Sequence, residues 1–509
     1  KKLFLLLCWL FCILVVAAFA DVVAGTFNGF ATNDAGEVTK VVANGAVATT
    51  SMLFIIEAVA LGFFLKYSKF NIFVERKDSD KYFLFNTNTG ATFLVDTFIK
   101  QKIERGDMKF LSAEKRKEYE DAGIILSDEI DENRIFLYNY NKQKYNNEVL
   151  NLTILLTYDC NLRCVYCYEG AGEQNKGSLS TETREAIFEF IKKQMEQRKS
   201  KVLSVVLFGG EPLLNFEQNV KWLDQIKQYC DMNNIVFVTT LITNGILINE
   251  YVMNKLIEYN CQTIQITLDG LKEIHDSRRK YKDGRGSFDE VLNGIRMIYN
   301  NAKLNNPVIR INIDKTNIDE VKRLLVYLSE EKLNGCYIDF GIVKGTTKAC
   351  SSYTGNCFVE NELGEILDGL WEELESMGFD YNINPQKKFL FCGLYCDAAF
   401  TISPFAEIYK CWDLVGTDEH LMGRISPSGD IVDVKYPYFD WMSHNPLEVE
   451  ECKNCLYLPA CGGGCGAVSY SQNGNYHSKG CYKTIGVIEK QVERLFKYNG
   501  AVEEKEHDY

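Results

Sequence analysis

Between residues 152 and 341, short apolar runs rich in β-branched residues alternate with longer stretches of helical periodicity. That alternation constrains the fold more than any other feature. A strand is expected to begin at 154–156, and others at 202–208, 235–239, 263–268, 308–313 and 337–341. Helices are expected at 181–197, 216–230, 288–299 and 318–328. A strand, helical crossover and next strand of one sheet run parallel, so a mostly parallel sheet with outer helices follows. The expected class is α/β, in the form of a partial (β/α) barrel.

Cysteine spacing carries the chemistry. The chain has 18 cysteines. Cys160, Cys164 and Cys167 form a tight group directly after the first strand of the series. Cys392, Cys396, Cys411, Cys452, Cys455, Cys461, Cys465 and Cys481 form a second set, while Cys230, Cys261, Cys336, Cys350 and Cys357 read as small buried apolar residues. A chain of 509 residues buries an ordinary core and does not need disulfide staples. Iron–sulfur ligation accounts for the short repeated gaps better. Three thiolates hold three irons of a four-iron cluster and leave the fourth free for another ligand. Structural zinc would need a fourth ligand nearby, which this stretch lacks.

The run Cys160-Asn161-Leu162-Arg163-Cys164-Val165-Tyr166-Cys167 resembles the CxxxCxxC loop of the radical SAM superfamily, including aromatic Tyr166 before the third cysteine. After the next strand, Gly209-Gly210-Glu211-Pro212 is similar to that family's GGEP motif. The resemblance implies a four-iron cluster on Cys160, Cys164 and Cys167, with S-adenosylmethionine on the open iron. Glu211 would accept a hydrogen bond from the cofactor's amino group, and the glycines would let the backbone approach it. Asn244-Gly245 and Thr267-Leu268-Asp269-Gly270 stand at strand ends where the family contacts the cofactor ribose or shapes the site, although both also read as turns. Gly286-Ser287-Phe288-Asp289 and Asn312 extend the likeness.

From Cys452 onward the second set resembles the SPASM extension of radical SAM protein maturases. By that resemblance Cys392, Cys396, Cys411 and Cys465 would ligate one auxiliary four-iron cluster, and Cys452, Cys455, Cys461 and Cys481 another, giving three [4Fe-4S] clusters in all. Two features depart from the pattern: Ala406 stands where the family often has glycine, and the Cys392–Cys396 gap is compact. The first auxiliary cluster could therefore keep three protein thiolates and an exchangeable position. A zinc ribbon is the structural alternative for this end.

The expected organisation is an apolar region at 1–68, a fore-domain at 69–150, a radical SAM core at 151–345, a connecting helical region at 346–390, a SPASM domain at 391–485, and a charged C-terminal helix and tail at 486–509. In the fore-domain, 82–85 and 91–95 read as two strands around a turn, and its position resembles the peptide-binding preludes of radical SAM peptide maturases. Residues 3–20 are uninterruptedly apolar behind Lys1 and Lys2, and 52–65 form a second, shorter apolar run containing Glu57. A membrane hairpin with both ends cytoplasmic satisfies the positive-inside rule, with Lys66 and Lys69 beside Lys1 and Lys2. One anchor, a cleaved leader or a packed helical appendage are the other readings, and Glu57 is the objection to a second span. Oxygen-sensitive clusters place the catalytic region in the cytoplasm, with an anchor on the membrane's cytoplasmic face.

A formal charge of −13 argues against a nonspecific nucleic-acid binder. The expected activity is oxidative modification of a ribosomally made peptide by a 5'-deoxyadenosyl radical, in the form of a thioether between cysteine and another residue. The enzyme alternative is sulfatase-maturase-like oxidation of a serine or cysteine side chain to formylglycine. That family places an essential aspartate near the ligand represented by Cys411, and Asp413 stands one position displaced. A non-enzymatic iron–sulfur electron carrier would explain the cysteines but not Glu211. The implied partners are the peptide or protein substrate and a one-electron reductant such as flavodoxin or ferredoxin.

Overall fold

The computed structural model describes residues 65–76, 79–170, 173–381 and 385–499. The apolar runs at 3–20 and 52–65 lie outside the described residues, save for Leu65. Among the described residues no helix is long and apolar enough to cross a membrane. Lys66 and Lys69, which would flank a membrane span, are tied to folded neighbours. Lys66 donates to Ile130 O at 2.6 Å, and Lys69 to Asn133 Oδ1 at 2.5 Å.

The chain opens with β1 (Leu65–Tyr67), β2 (Asn71–Glu75), β3 (Lys81–Asn86), β4 (Thr92–Asp96) and β5 (Ile125–Ser127). β2, β3 and β4 form an antiparallel meander, and β1 pairs with β5. Helices Thr97–Glu104, Ala113–Asp121 and Glu132–Lys144 are capped by Asp96, Ser112 and Asp131, whose side chains accept first-turn amide hydrogens.

The central sheet begins at β6 (Val149–Thr157), five residues before the apolar run at 154. Asn151 interrupts the pattern, but its backbone continues the ladder with β8. After β7 (Leu162–Cys164) come β8 (Val202–Gly209), β9 (Val236–Thr243), β10 (Cys261–Thr267), β11 (Arg279–Tyr281), β12 (Val308–Ile313) and β13 (Tyr337–Ile342). Strands β6, β8, β9, β10, β12 and β13 run parallel in that order. The helices between them lie outside. In Phe288–Tyr299, for example, Phe288, Val291, Leu292, Ile295 and Ile298 make the 3.6-period face that enters the core. The fold is thus mixed α/β, with an incompletely closed barrel.

The other edge of this sheet belongs to the C-terminal region. After helix Leu363–Met377, β14 (Ala399–Ile402) lies parallel to β6, and β15 (Glu407–Tyr409), β16 (Gly423–Ile425) and β17 (Ile431–Val432) continue antiparallel. One ten-stranded sheet therefore crosses the boundaries at 345 and 391. Ala406 takes φ +60° in the β14–β15 turn, a left-handed conformation that favours glycine. Short helices then carry the last cysteines, and helix Val487–Asn499 follows.

Candidate functional site

The C-terminal ends of the parallel strands open onto a cavity of about 500 Å³, closed on the opposite side by the cysteine-rich end. Ligand sites in α/β folds gather at such ends because the connecting loops all emerge there. Cys160, Cys164 and Cys167 line one wall, and Cys392, Cys411 and Cys465 line the facing one.

The loop holding the first three thiols is clamped from below. β7 pairs antiparallel with β11, setting Cys164 opposite Arg279. Tyr166 lines the cavity, but its hydroxyl is occupied: it bonds Asp269 Oδ2 and accepts from Arg279 Nη1 at 2.8 Å and Asn312 Nδ2 at 3.1 Å. The Arg278 guanidinium sits 4.9 Å from the centre of the Tyr166 ring and pairs with Asp314 at 2.8 Å. Asp269 is fully buried and does not line the cavity. Its other oxygen accepts from Asn312 N at 3.0 Å, so it joins the loop to two strand ends.

Gly209 and Gly210 line the cavity, yet their lack of a side chain is used against protein. A Cβ on Gly209 would lie 2.2 Å from Thr157 O, and one on Gly210 2.5 Å from both Asp159 O and Tyr158 O. Glu211 lies beneath them, fully buried. Its Oε1 accepts from Leu213 N at 2.9 Å and Thr243 Oγ1 at 2.7 Å, and its Oε2 from Asn244 N at 2.7 Å. Burial pushes its pKa up, against those donors. Pro212 is buried and starts the short helix Pro212–Asn215. Asn244 and Thr267 line the cavity, and the Asn244 amide donates to Asn161 Oδ1 at 2.7 Å.

The thiols fall into three neighbourhoods. Burial raises the Cys160 pKa, and nearby Cys164, Glu211 and Cys167 add to it. Burial pushes Cys392 up to about 11, with Cys465, Asp413 and Cys396 adding, and burial with Asp413, Cys465 and Cys392 holds Cys411 well above the usual thiol value. Burial, with Cys461, Cys455 and Cys481, pushes Cys452 up to about 12. Among the described residues no group of three His, Cys, Asp or Glu side chains converges to hold one metal ion. Sulfurs that each bind a different iron of a cluster need not converge on one point. Half-buried thiols massed in this way fit a site where bound iron supplies the positive charge that makes them thiolates.

Asp413 lines the cavity beside Cys411, with Lys344 Nζ 3.3 Å from its Oδ2. Lys344, Arg279, Arg310 and Glu169 also line it, none of them marked by a motif. Burial, assisted by Asp413, pushes Glu169 up to about 8 against the adjacent Tyr168 hydroxyl. His477, in contrast, faces Asp440 at 3.0 Å, away from these walls. The Arg278-Arg279 pair after a short helix was a visible signal. Its targets were not, because they come from other strands.

The Radical SAM superfamily profile matches residues 154–328, the stretch from β6 through the helix after β12. That stretch is a radical SAM domain. The chain is a radical SAM enzyme, and the domain implies the use of S-adenosylmethionine and iron–sulfur chemistry. It is similar to a mycofactocin maturase of Mycolicibacterium smegmatis, 25% identical over 337 residues, 63% of this chain and 78% of the relative. It also resembles a cysteine-type anaerobic sulfatase-maturating enzyme of Clostridium novyi, 22% identical over 360 residues, 66% of this chain and 93% of that one. The solved structure of anSMEcpe with bound AdoMet and Cp18Cys peptide shares the fold at TM-score 0.52 and 18% identity, across 69% of this chain and 96% of that one.

Proposed function

We propose that this radical SAM enzyme modifies a ribosomally made peptide, joining a cysteine sulfur to a carbon of another residue. The observation that carries the reading is the cavity shared by the Cys160/Cys164/Cys167 wall and the Cys392/Cys411/Cys465 wall. Similarity to maturases of peptides and proteins supports the substrate class. S-adenosylmethionine and a four-iron cluster, when bound, supply a 5'-deoxyadenosyl radical by one-electron cleavage. In this proposal Cys160, Cys164 and Cys167 hold that cluster, while Cys392, Cys396, Cys411 and Cys465 hold a second and Cys452, Cys455, Cys461 and Cys481 a third. Tyr166 and Asp269 fix the cysteine loop, Glu211 fixes Asn244, and Gly209, Gly210, Asn244 and Thr267 form the floor of the cofactor site. Phe208, Ile242, Trp412 and Trp441 line the same cavity and limit water there.

Thioether formation removes two hydrogens from the peptide. One leaves as a hydrogen atom on 5'-deoxyadenosine, and the other as the thiol proton together with one electron. That electron needs an acceptor beside the substrate, which in this proposal an iron–sulfur cluster held by Cys392, Cys396, Cys411 and Cys465 would supply. Fragmentation mass spectrometry of a cysteine-containing precursor from a neighbouring gene tests this. The expected result is loss of two hydrogens with the cysteine blocked to alkylation. An aldehyde at serine or cysteine would instead establish the second reading, formylglycine formation, which the position of Asp413 on the cavity wall favours. The reductant in this proposal is a flavodoxin- or ferredoxin-type protein, and the reaction is cytoplasmic.

A further inference from the structure

Glu169 is only 9% exposed, and its Oε2 has no hydrogen-bond partner. It is also part of the cavity wall. The other charged side chains lining that cavity each have a partner. Lys344 faces Asp413 at 3.3 Å, Arg279 donates to Tyr166 at 2.8 Å, Lys483 donates to Phe340 O at 2.5 Å, and Arg310 pairs with Asp339. A carboxylate kept from water with an unmatched oxygen is costly unless something entering the cavity satisfies it. Asp413 on the same wall is already balanced by Lys344, so Glu169 is the acid left unmatched, and a visiting group with N–H donors and positive charge satisfies its free oxygen and supports its ionised form. Tyr168 and Trp412 supply aromatic surface beside it for an aliphatic stem or a guanidinium plane.

We propose that Glu169 is a specificity contact that receives a lysine or arginine side chain of the peptide, adjacent in sequence to the reacting residue. This deepens the proposed function and rests on its peptide reading. The contact sets which peptide segment settles in the cavity, so it acts on binding and alignment.

The test uses anaerobic holoenzyme with S-adenosylmethionine and calorimetric binding of two probe sets. The first is acetyl-Gly-Ala-Cys-X-Gly-amide and its reverse-order counterpart, with X as Lys, Gln or Glu. The second is butylammonium against butanol. The expected result is Lys peptide binding about tenfold tighter than Gln peptide, and butylammonium bound where butanol is not. Glu169→Gln should reduce the Lys-to-Gln ratio to about twofold or less, and Glu169→Lys should invert the order in favour of the Glu peptide. A collapsed cavity cannot produce that inversion. Peptides that bind the native protein without regard to X overturn the cation contact and leave the peptide reading intact. Butylammonium binding that depends on Glu169, with no peptide bound, upholds the cation contact and overturns the peptide reading. No discrimination in either set overturns the inference.

Discussion

Glu211 shows what a single residue does here. Its two oxygens take three donors, from Leu213, Thr243 and Asn244, with no water between. Replacing it by glutamine turns one of those oxygens into an NH2 group facing a donor. Leaving such a pair buried and unmatched costs about 1–3 kcal/mol. Glu211→Gln is therefore expected to lower stability by about 2 kcal/mol in denaturant titrations and to loosen Asn244, even before S-adenosylmethionine is added. Unchanged stability with weakened cofactor binding would mean that Glu211 serves the cofactor and not the floor beneath it. The cysteines make a complementary prediction at the same scale. Anaerobically reconstituted protein should hold about twelve irons per chain, three clusters of four. Replacing Cys160, Cys164 and Cys167 together by alanine should remove about four and abolish 5'-deoxyadenosine formation. Iron analysis with product chromatography checks both, and cleavage at the original rate would refute the assignment.

At the scale of elements, the site depends on loops meeting at strand ends. Gly210 permits the β8 loop to pass against the carbonyls of Tyr158 and Asp159, immediately before Cys160. Gly210→Ala forces that cysteine loop to shift, since a Cβ 2.5 Å from a backbone oxygen is not tolerated. Overpacking of this kind costs about 1–3 kcal/mol. The expected outcome is a protein that reconstitutes fewer clusters at the first site, seen as lower iron content and a weaker cluster spectrum, with the other two sites retained. The glycines and cysteines were legible in the sequence because each motif is contiguous and its spacing is the signal. The parallel strands were legible because apolar runs mark them, with β6 starting earlier than its apolar run does. The β7–β11 ribbon escaped notice because three-residue strands carry no periodicity. Glu169, Lys344 and Arg279 escaped it because their meaning comes from neighbours far away in sequence. The resemblance implied that Glu211 would accept from the cofactor's amino group and that the strand end at Asp269 would contact the cofactor ribose or shape the site. In the fold both side chains are fully buried with protein donors on their oxygens, contacts that only packing reveals.

At the scale of the whole molecule, the cysteine-rich end is attached in two physically different ways. β14 to β17 extend the barrel sheet through backbone hydrogen bonds to β6. The segment carrying Cys452, Cys455, Cys461 and Cys481 has only short helices and few ladder bonds of its own. It is held by packing against the N-terminal meander, where Ile72, Val74, Phe83, Phe85 and Leu94 meet Ala460, Ile488 and Val492. Thr87 Oγ1 donates to Leu456 O at 2.6 Å, and Lys69 Nζ to Lys453 O at 2.9 Å, across the same contact. Where half-buried thiols such as these bind metal, the binding energy becomes folding energy for the segment around them. Removing iron with a chelator should therefore unfold 448–485 locally and release the meander, while β6, β8 and β9 stay protected. Hydrogen exchange followed by mass spectrometry of holo and iron-free protein reads this directly. Faster exchange in the cysteine segment and in β2 and β3, with little change in the barrel strands, is the expected pattern. Equal loss of protection everywhere would show that the cysteine-rich end and the barrel unfold as one unit. No change in 448–485 would show that the segment is held by its protein contacts alone, and that those four cysteines do not carry a structural cluster.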